Sequence, residues 1–279
     1  MNRRKKITIF TVVRLAFIGI ICTFSLFPVL WCLSTSLKTE SEIYRLPPSW
    51  IPEIVTLKHY KEILGRSDMM HYFVNTVILS TGTTLITMVV SVLAAYGFSR
   101  YKFTGSRCLI CTILFARVLP RVSVIIPYYI ILKEMKLLNT YQGLMLVYLT
   151  ICLPVAVWML KGYFDNLPVE VEEAAVVDGC SPFGGLVKIV IPMCKPILAT
   201  VAMNAFILSW NEFLFALTMT DGKAMRPIAV GLAFFIDEMG VHWGELMAAS
   251  MLMSVPAVIF FSLAQNQMVR GLSAGAVKG

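Results

Sequence analysis

Six apolar runs dominate this chain, over about residues 7–37, 72–98, 108–132, 143–160, 196–219 and 246–269. Each is long enough to cross about 30 Å of hydrocarbon at about 1.5 Å per helical residue. Backbone polar groups find no partner in hydrocarbon, so a spanning segment must satisfy them itself, and runs of this length do so as helices. The expected fold is therefore all-α and polytopic: six transmembrane helices in a single domain over residues 1–279. Composition agrees. The chain is 58% hydrophobic and 14% charged, whereas soluble domains sit at about 45–50% and about 25%.

The charge pattern sets an expected orientation. A net charge of +8 would suggest nucleic acid only if the basic residues formed a patch. They bracket the apolar runs instead, so no nucleic-acid partner is expected. The cluster Arg3-Arg-Lys-Lys6 precedes the first run and places the N-terminus inside. That run is too long for a signal peptide and no A-x-A cleavage site follows it, so it reads as a retained helix. Arg100, Lys102 and Arg107 put the loop 99–107 in the cytoplasm as well, and six crossings return the C-terminus to the same side. Trp50 and Tyr60, in the first outer segment, suit the membrane–water interface. None of the seven cysteines falls in a segment expected outside, so no external disulfide framework is indicated. Cys108 and Cys111 form a C-x-x-C without the further ligands that a four-coordinate zinc site needs, and no metal is expected.

One sizeable polar interruption, about residues 161–195, lies between the fourth and fifth runs. Its centre is Glu170-Val-Glu-Glu-Ala-Ala-Val-Val-Asp178-Gly179. Pro168 can pre-set φ for a first helical turn, and acids in that turn complement the helix dipole. Gly179 fits the left-handed position that ends a helix, and Ser181-Pro182 is a cap and first turn for another. Ala174 and Ala175 leave a side-chain-poor patch that another protein surface could approach closely. Residue by residue, the segment is either a loop lying on the membrane or such a docking element.

The spacing resembles a known motif. Glu173-Ala174-Ala175, three residues, Gly179, nine residues, then Ile189-x-Ile191-Pro192 is similar to the EAA motif of ABC importer permeases, with Ile191 where that family has Leu. Further on, Arg226-Pro-Ile-Ala-Val-Gly-Leu232, Trp243-Gly-Glu-Leu-Met-Ala-Ala-Ser250 and Pro256 resemble the C-terminal third of carbohydrate importer permeases such as the maltose transporter's. The ending Gly271–Gly279 is similar to that family's short tail, which reaches between ATPase subunits. The resemblance implies the type I importer fold, in which the smaller of two permease partners has six spans. It implies that Glu173, Ala174, Ala175, Asp178, Gly179, Ile189 and Pro192 belong to a coupling loop docked on a cytoplasmic ATPase. The implied partners are a second permease, two ATPase subunits, an external solute-binding protein and a sugar, with a di- or oligosaccharide expected, at a bacterial or archaeal inner membrane.

Site chemistry in the spans is sparse. No G-x-x-x-x-G-K-[ST] occurs, so the chain has no loop to cradle nucleotide phosphates, and ATP with its Mg²⁺ is expected on a partner subunit. No cofactor and no catalytic residue is expected in the chain itself. Charge in a membrane interior costs at least about 2.5–3.5 kcal/mol at a helix centre, which singles out Arg117, Arg121 and Glu212. The arginines are four apart, hence on one helical face. They either line a water-filled path, contacting hydroxyls or an acidic group of a solute, or pair with Glu212 or a partner's acids. Snorkelling to the interface is the third option. They are not residues that the family's third-span pattern leads one to expect. Trp210-Asn211-Glu212-Phe213 resembles a signature of sugar-permease spans, and interhelical polar contact is the expected role of Glu212. Asn204, Leu208 and Asn211 share a face and form either a path-lining stripe or helix–helix glue. The alternatives are a permease for another solute, such as a glycerophosphodiester or amino acid, and a membrane enzyme built on Glu212 and the arginines. The lack of a second intramembrane carboxylate or a histidine partner weighs against acid–base chemistry there.

Overall fold

The structure, a computed structural model, describes residues 3–237 and 240–276, with side chains over 11–237 and 240–265. In chain order its helices are α1 (Arg3–Ser36), α2 (Glu40–Ile43), α3 (Lys58–Gly65), α4 (Ser67–Arg100), α5 (Ser106–Phe115) and α6 (Arg121–Glu134). Then come α7 (Tyr141–Phe164), α8 (Glu170–Val177), α9 (Pro182–Gly185), a π-helical turn (Leu186–Val190), α10 (Ile191–Met193) and α11 (Lys195–Trp210). The last are α12 (Leu214–Met219), α13 (Ile228–Ala233) and α14 (Trp243–Ala276), the final two separated by a two-residue antiparallel pair, β1 (Ile236–Asp237) with β2 (Gly240–Val241).

Among the described residues, four helices are long and apolar enough to cross a membrane alone: α1 over Thr11–Ser36, α4, α7, and α14 over Trp243–Gln265. The expected third and fifth spans are broken. The third is α5 and α6, of 10 and 14 residues, separated by the non-helical stretch 116–120. The fifth is α11 and α12, interrupted at 211–213. Pro120 explains the first break, since it stands at the N-cap of α6 and cannot donate a backbone hydrogen bond. Upstream, the limb from Pro182 to Met193 meets α11 at 84°.

The chain divides into two compact units. In the unit of residues 1–69 and 232–254, the end of α1 is tied to the segment after it. Ser36 Oγ and Tyr60 Oη are 2.8 Å apart, and Ser34 donates to the Trp50 carbonyl at 2.8 Å. Trp50 packs on Phe27 and Trp31 with ring centroids 5.6 and 5.3 Å apart. Lys38 is buried, with its ammonium over the Trp31 ring at 4.8 Å and donating to the Ser49 carbonyl. Buried Glu42 accepts from Ser49 Oγ at 2.7 Å and from the Glu53 amide at 2.9 Å. Tyr60 is thus tied to the end of α1, and Trp50, though exposed, stands in an aromatic cluster there.

In the unit of residues 70–231 and 255–279, α7 packs along α11 and meets α5 and α12, while α6 packs on α12. Two cores lie along α7. One joins Leu79, Leu132, Leu144, Tyr148, Phe215 and Met219. The other joins Ala95, Leu160, Phe164, Leu186, Val190 and Cys194, beneath the polar interruption. Asn75 of α4 closes the first end by donating to the Ala224 and Arg226 carbonyls at 2.9 and 3.0 Å and accepting from Tyr141 at 2.6 Å. Thr76 Oγ1 accepts from the Ile228 amide at 2.8 Å, and Gly231 lies against the Tyr72 ring. Residues 226–231 are thereby packing and closure residues.

Two glycines should separate backbone from side-chain crowding. A Cβ at Gly143 would strike the Leu137 carbonyl, which is main chain, whereas one at Gly82 would meet only the flexible end of Met145. Gly143→Ala is expected to cost about 1–3 kcal/mol, the usual penalty of overpacking, and Gly82→Ala clearly less. Thermal unfolding of the detergent-purified chain measures both.

A pH effect belongs to the first unit. Hydrogen bonds from Ser49, and then from the Glu53 amide, hold the Glu42 carboxyl below its usual range. A depressed carboxyl contributes stability that is present above the ordinary carboxylate range and lost as pH falls through the folded value. Acid below about pH 4, the ordinary Glu range, should therefore loosen residues 40–53 and raise their proteolytic cleavage. Glu42→Gln should already be loosened at neutral pH and lose most of that pH dependence.

Candidate functional site

The polar interruption folds as its local signals direct. Glu170, Glu172 and Glu173 fill the first turn of α8, and Pro168 stands one residue before the N-cap, Val169. The helix ends in a Schellman turn: Gly179 donates to the Val176 carbonyl at 3.0 Å and Cys180 to the Ala175 carbonyl at 2.9 Å. Gly179 has φ +86°, and a Cβ there would meet nothing within 4 Å, so conformation alone demands glycine. Ser181 caps α9 by accepting from the Gly184 amide at 3.1 Å, with Pro182 in the first turn.

The structure divides the expected docking residues. Glu173, Ala174, Asp178, Gly179 and Pro192 are exposed and Ile189 is half-buried, but Ala175 is buried against its own chain. The side-chain-poor patch is therefore Ala174 alone. Beside it stand Val176, Val177 (86% exposed) and Phe183 (65%), which composition did not single out.

Behind α8 is a polar fastening that the sequence did not disclose. Arg100, the last residue of α4, donates through Nε to Glu172 Oε1 at 2.8 Å, and its Nη2 lies 2.6 Å from the same oxygen. Tyr96 donates to Glu172 Oε2 at 2.8 Å. Arg100 also donates to the Phe164 and Leu167 carbonyls, at 2.9 and 3.4 Å, where α7 ends. The two ionic side chains are only 11% and 13% exposed. Removing one partner of a buried pair typically costs about 3–5 kcal/mol. Alongside, Asp165 accepts from Ser99 Oγ at 2.7 Å and from Lys161 Nζ at 2.6 Å. Burial raises the Asp165 pKa, but those hydrogen bonds and the Lys161 and Arg100 charges outweigh it and leave the carboxyl below its usual range.

Within the expected spans, Arg117 and Arg121 are exposed and line one cavity with Leu208. Asn204 and Asn211 lie on the exposed face of α11 but outside that cavity wall, and Asn211 donates back to the Ile207 carbonyl at 3.0 Å. Glu212 turns inward, 3% exposed. Its two oxygens accept from the Phe215 and Ala216 amides, each at 3.1 Å, so it caps the start of α12, and the carboxylate also lies within electrostatic reach of Tyr148 on α7. Among the described residues, no carboxylate lies within 4.0 Å of either arginine's guanidinium nitrogens. Of the expected tail Gly271–Gly279, residues 277–279 and all the side chains lie outside the described set.

Comparison with known proteins places this geometry. The chain is 34% identical over 254 residues to the sulfoquinovosyl glycerol transport system permease protein SmoH of Agrobacterium fabrum, covering 91% of this chain and 89% of the relative. It is 35% identical over 267 residues to the trehalose/maltose transport system permease protein MalG of Thermococcus litoralis, covering 94% and 93%. A chain from the crystal structure of a bacterial ABC transporter that imports the acidic polysaccharide alginate superposes with a TM-score of 0.81 at 21% identity, covering 95% of this chain and 98% of that one. That likeness bears on the fold, which is that of an ABC importer permease. Residues 87–274, more than half of the chain and including both the α8 turn and the arginine cavity, match the family model for the inner membrane component of binding-protein-dependent transport systems, and the protein belongs to that family.

Proposed function

We propose that this chain is the membrane permease of an ATP-driven, binding-protein-dependent importer of saccharides. The observation that carries the reading is the α8 turn. A helix ended by a left-handed glycine presents Glu173, Ala174, Val177 and Asp178 outward while Arg100 and Tyr96 anchor it from behind. A docking element needs that combination of an exposed face and a rigid seat. The names of the curated relatives, two of them for glycoside and disaccharide transport, support a saccharide.

The partners follow from what the chain lacks. Having no phosphate-cradling loop, it transports but does not hydrolyse ATP, and two ATPase subunits supply hydrolysis with their own nucleotide and Mg²⁺. A second permease completes the pathway, and an external binding protein delivers the solute; the family's description supports the binding protein. Closure of the ATPase pair then moves the docked α8 turns and shifts the helical bundle between inward- and outward-facing states. The six-span topology keeps both termini and the α8 turn in the cytoplasm.

Saccharide-stimulated ATP hydrolysis by the assembled complex tests the reading, and the purified chain alone should show none. Gly179→Val should abolish stimulation while the chain still inserts, because the left-handed region costs a β-branched residue more than the roughly 1–2 kcal/mol typical of L-residues. Gly179→Asn, which tolerates that region, should retain most of it. Stimulation at full rate in Gly179→Val would detach the turn from coupling.

Orientation has its own check. In a background without native cysteines, single cysteines at Arg107 and Lys195 should resist an impermeant thiol reagent added to intact spheroplasts, and one at Lys58 should react. Labelling at position 195 from outside would overturn the topology.

A further inference from the structure

Arg117 and Arg121 flank a break in the middle of a span. Helix α5 starts beside the expected cytoplasmic loop and its 10 residues rise about 15 Å, half of the roughly 30 Å of hydrocarbon. The break at 116–120 therefore lies near the midplane, far from lipid phosphates. Irregular backbone at that depth is tolerated where it lines a cavity or is buried in protein, and broken helices in transporters recur at solute sites. Here the cavity exists. It measures about 140 Å³ and is lined by both arginines with Tyr128, Thr150, Leu208 and Phe215.

The break gathers positive charge with no ion-pair partner for either arginine among the described residues. Helix α6 has no acid in its first turn and no side-chain cap at Pro120. Arg121 opens that helix, setting a cation where the dipole favours an anion. Glu212 is close enough for the charge of Arg121 to be felt, but it stands beyond ion-pair distance and both its oxygens are engaged by the Phe215 and Ala216 amides. The cavity is too small for an oligosaccharide and suits one substituent. Guanidinium groups offer planar, multi-donor hydrogen bonds that match carboxylate, sulfonate and sulfate oxygens better than single hydroxyls.

We propose that the cavity at the break between α5 and α6 binds an acidic substituent of the transported saccharide, with Arg117 and Arg121 as the residues that select it. The inference rests on the importer reading and narrows its substrate to acidic saccharides. A neutral sugar brings no anion to either guanidinium group at that depth.

The test offers the assembled importer, with its binding protein and in proteoliposomes, trehalose and maltose alongside disaccharides bearing a glucuronate or a sulfonate. Uptake of an acidic member is expected. Arg117→Gln and Arg121→Gln should each lower it about tenfold or more, the loss of one charge-assisted hydrogen bond. The corresponding Lys variants, which keep the charge, should retain more uptake than Gln, which keeps only neutral donors. Uptake of neutral sugars alone, or acidic uptake that the Gln variants leave unchanged, overturns the subsite while the importer reading stands. If no saccharide of either kind is taken up or stimulates hydrolysis, the saccharide-importer reading itself fails. A second measurement needs no variant. Phenylglyoxal modification of the unmutated complex, mapped by mass spectrometry, should slow at Arg117 and Arg121 when free glucuronate is added, but not with equal glucose, and Arg107 should be indifferent to both. Equal rates with and without glucuronate would also overturn the proposal.

Discussion

A backbone amide in hydrocarbon has no water to turn to, and the architecture of this chain follows from that constraint. Where the helices run unbroken, as in α1, α4 and α7, the ladder satisfies itself and the side chains are free to be apolar. Where a helix stops inside the expected membrane zone, something must receive the released groups. At 211–213 the answer is internal: Glu212 takes the Phe215 and Ala216 amides. A buried carboxylate is expensive unless its oxygens are hydrogen-bonded, so the cap and the acid justify each other. At 116–120 the chain supplies no such acid. There the amides of Ala116, Arg117 and Val118 turn back on the Thr112, Leu114 and Phe115 carbonyls, and the break opens on a cavity with two cations, so the two breaks differ in what they can do.

Prolines show why those breaks were not legible. Pro28, Pro127, Pro154 and Pro256 all sit inside helices, whereas Pro120 stands just before one begins. In a membrane bundle neighbouring helices and local adjustments re-satisfy the groups that a proline frees, so the residue stops being a dependable terminator. The long helices α1, α4, α7 and α14 lie over contiguous apolar runs, because such runs are a local signal. The two-part third and fifth spans depend on packing, of α6 on α12 and of α11 on α7, which no run of letters displays.

The α8 turn was the opposite case. First-turn acids, Gly179 and the Ser181-Pro182 cap are each decided by backbone conformation within a few residues, and each appears where the sequence put it. What local signals could not say was which alanine faces out, because burial of Ala175 depends on what lies beneath the helix. Nor could they pair Arg100 with Glu172, 72 positions away. In the sequence Arg100 reads as an orientation charge at the end of a span and Glu172 as a dipole partner. Both descriptions hold, and neither contains the bond.

That bond has a mechanical meaning for a transport subunit. One guanidinium at the end of α4 binds the first turn of α8 and the carbonyls where α7 ends. A push on the exposed face of α8 is thus delivered to two long helices at once. The core beneath adds a third route, since Leu186, Val190 and Cys194 pack with Ala95, Leu160 and Phe164. Packed interiors are stiff and have discrete arrangements, so displacement there is passed on instead of absorbed. A loop merely resting on the membrane surface has no use for a nearly buried ion pair whose two residues come from different helices. Such a pair suits an element that must carry load, which is the physical argument behind the proposed role of α8 as a coupling helix.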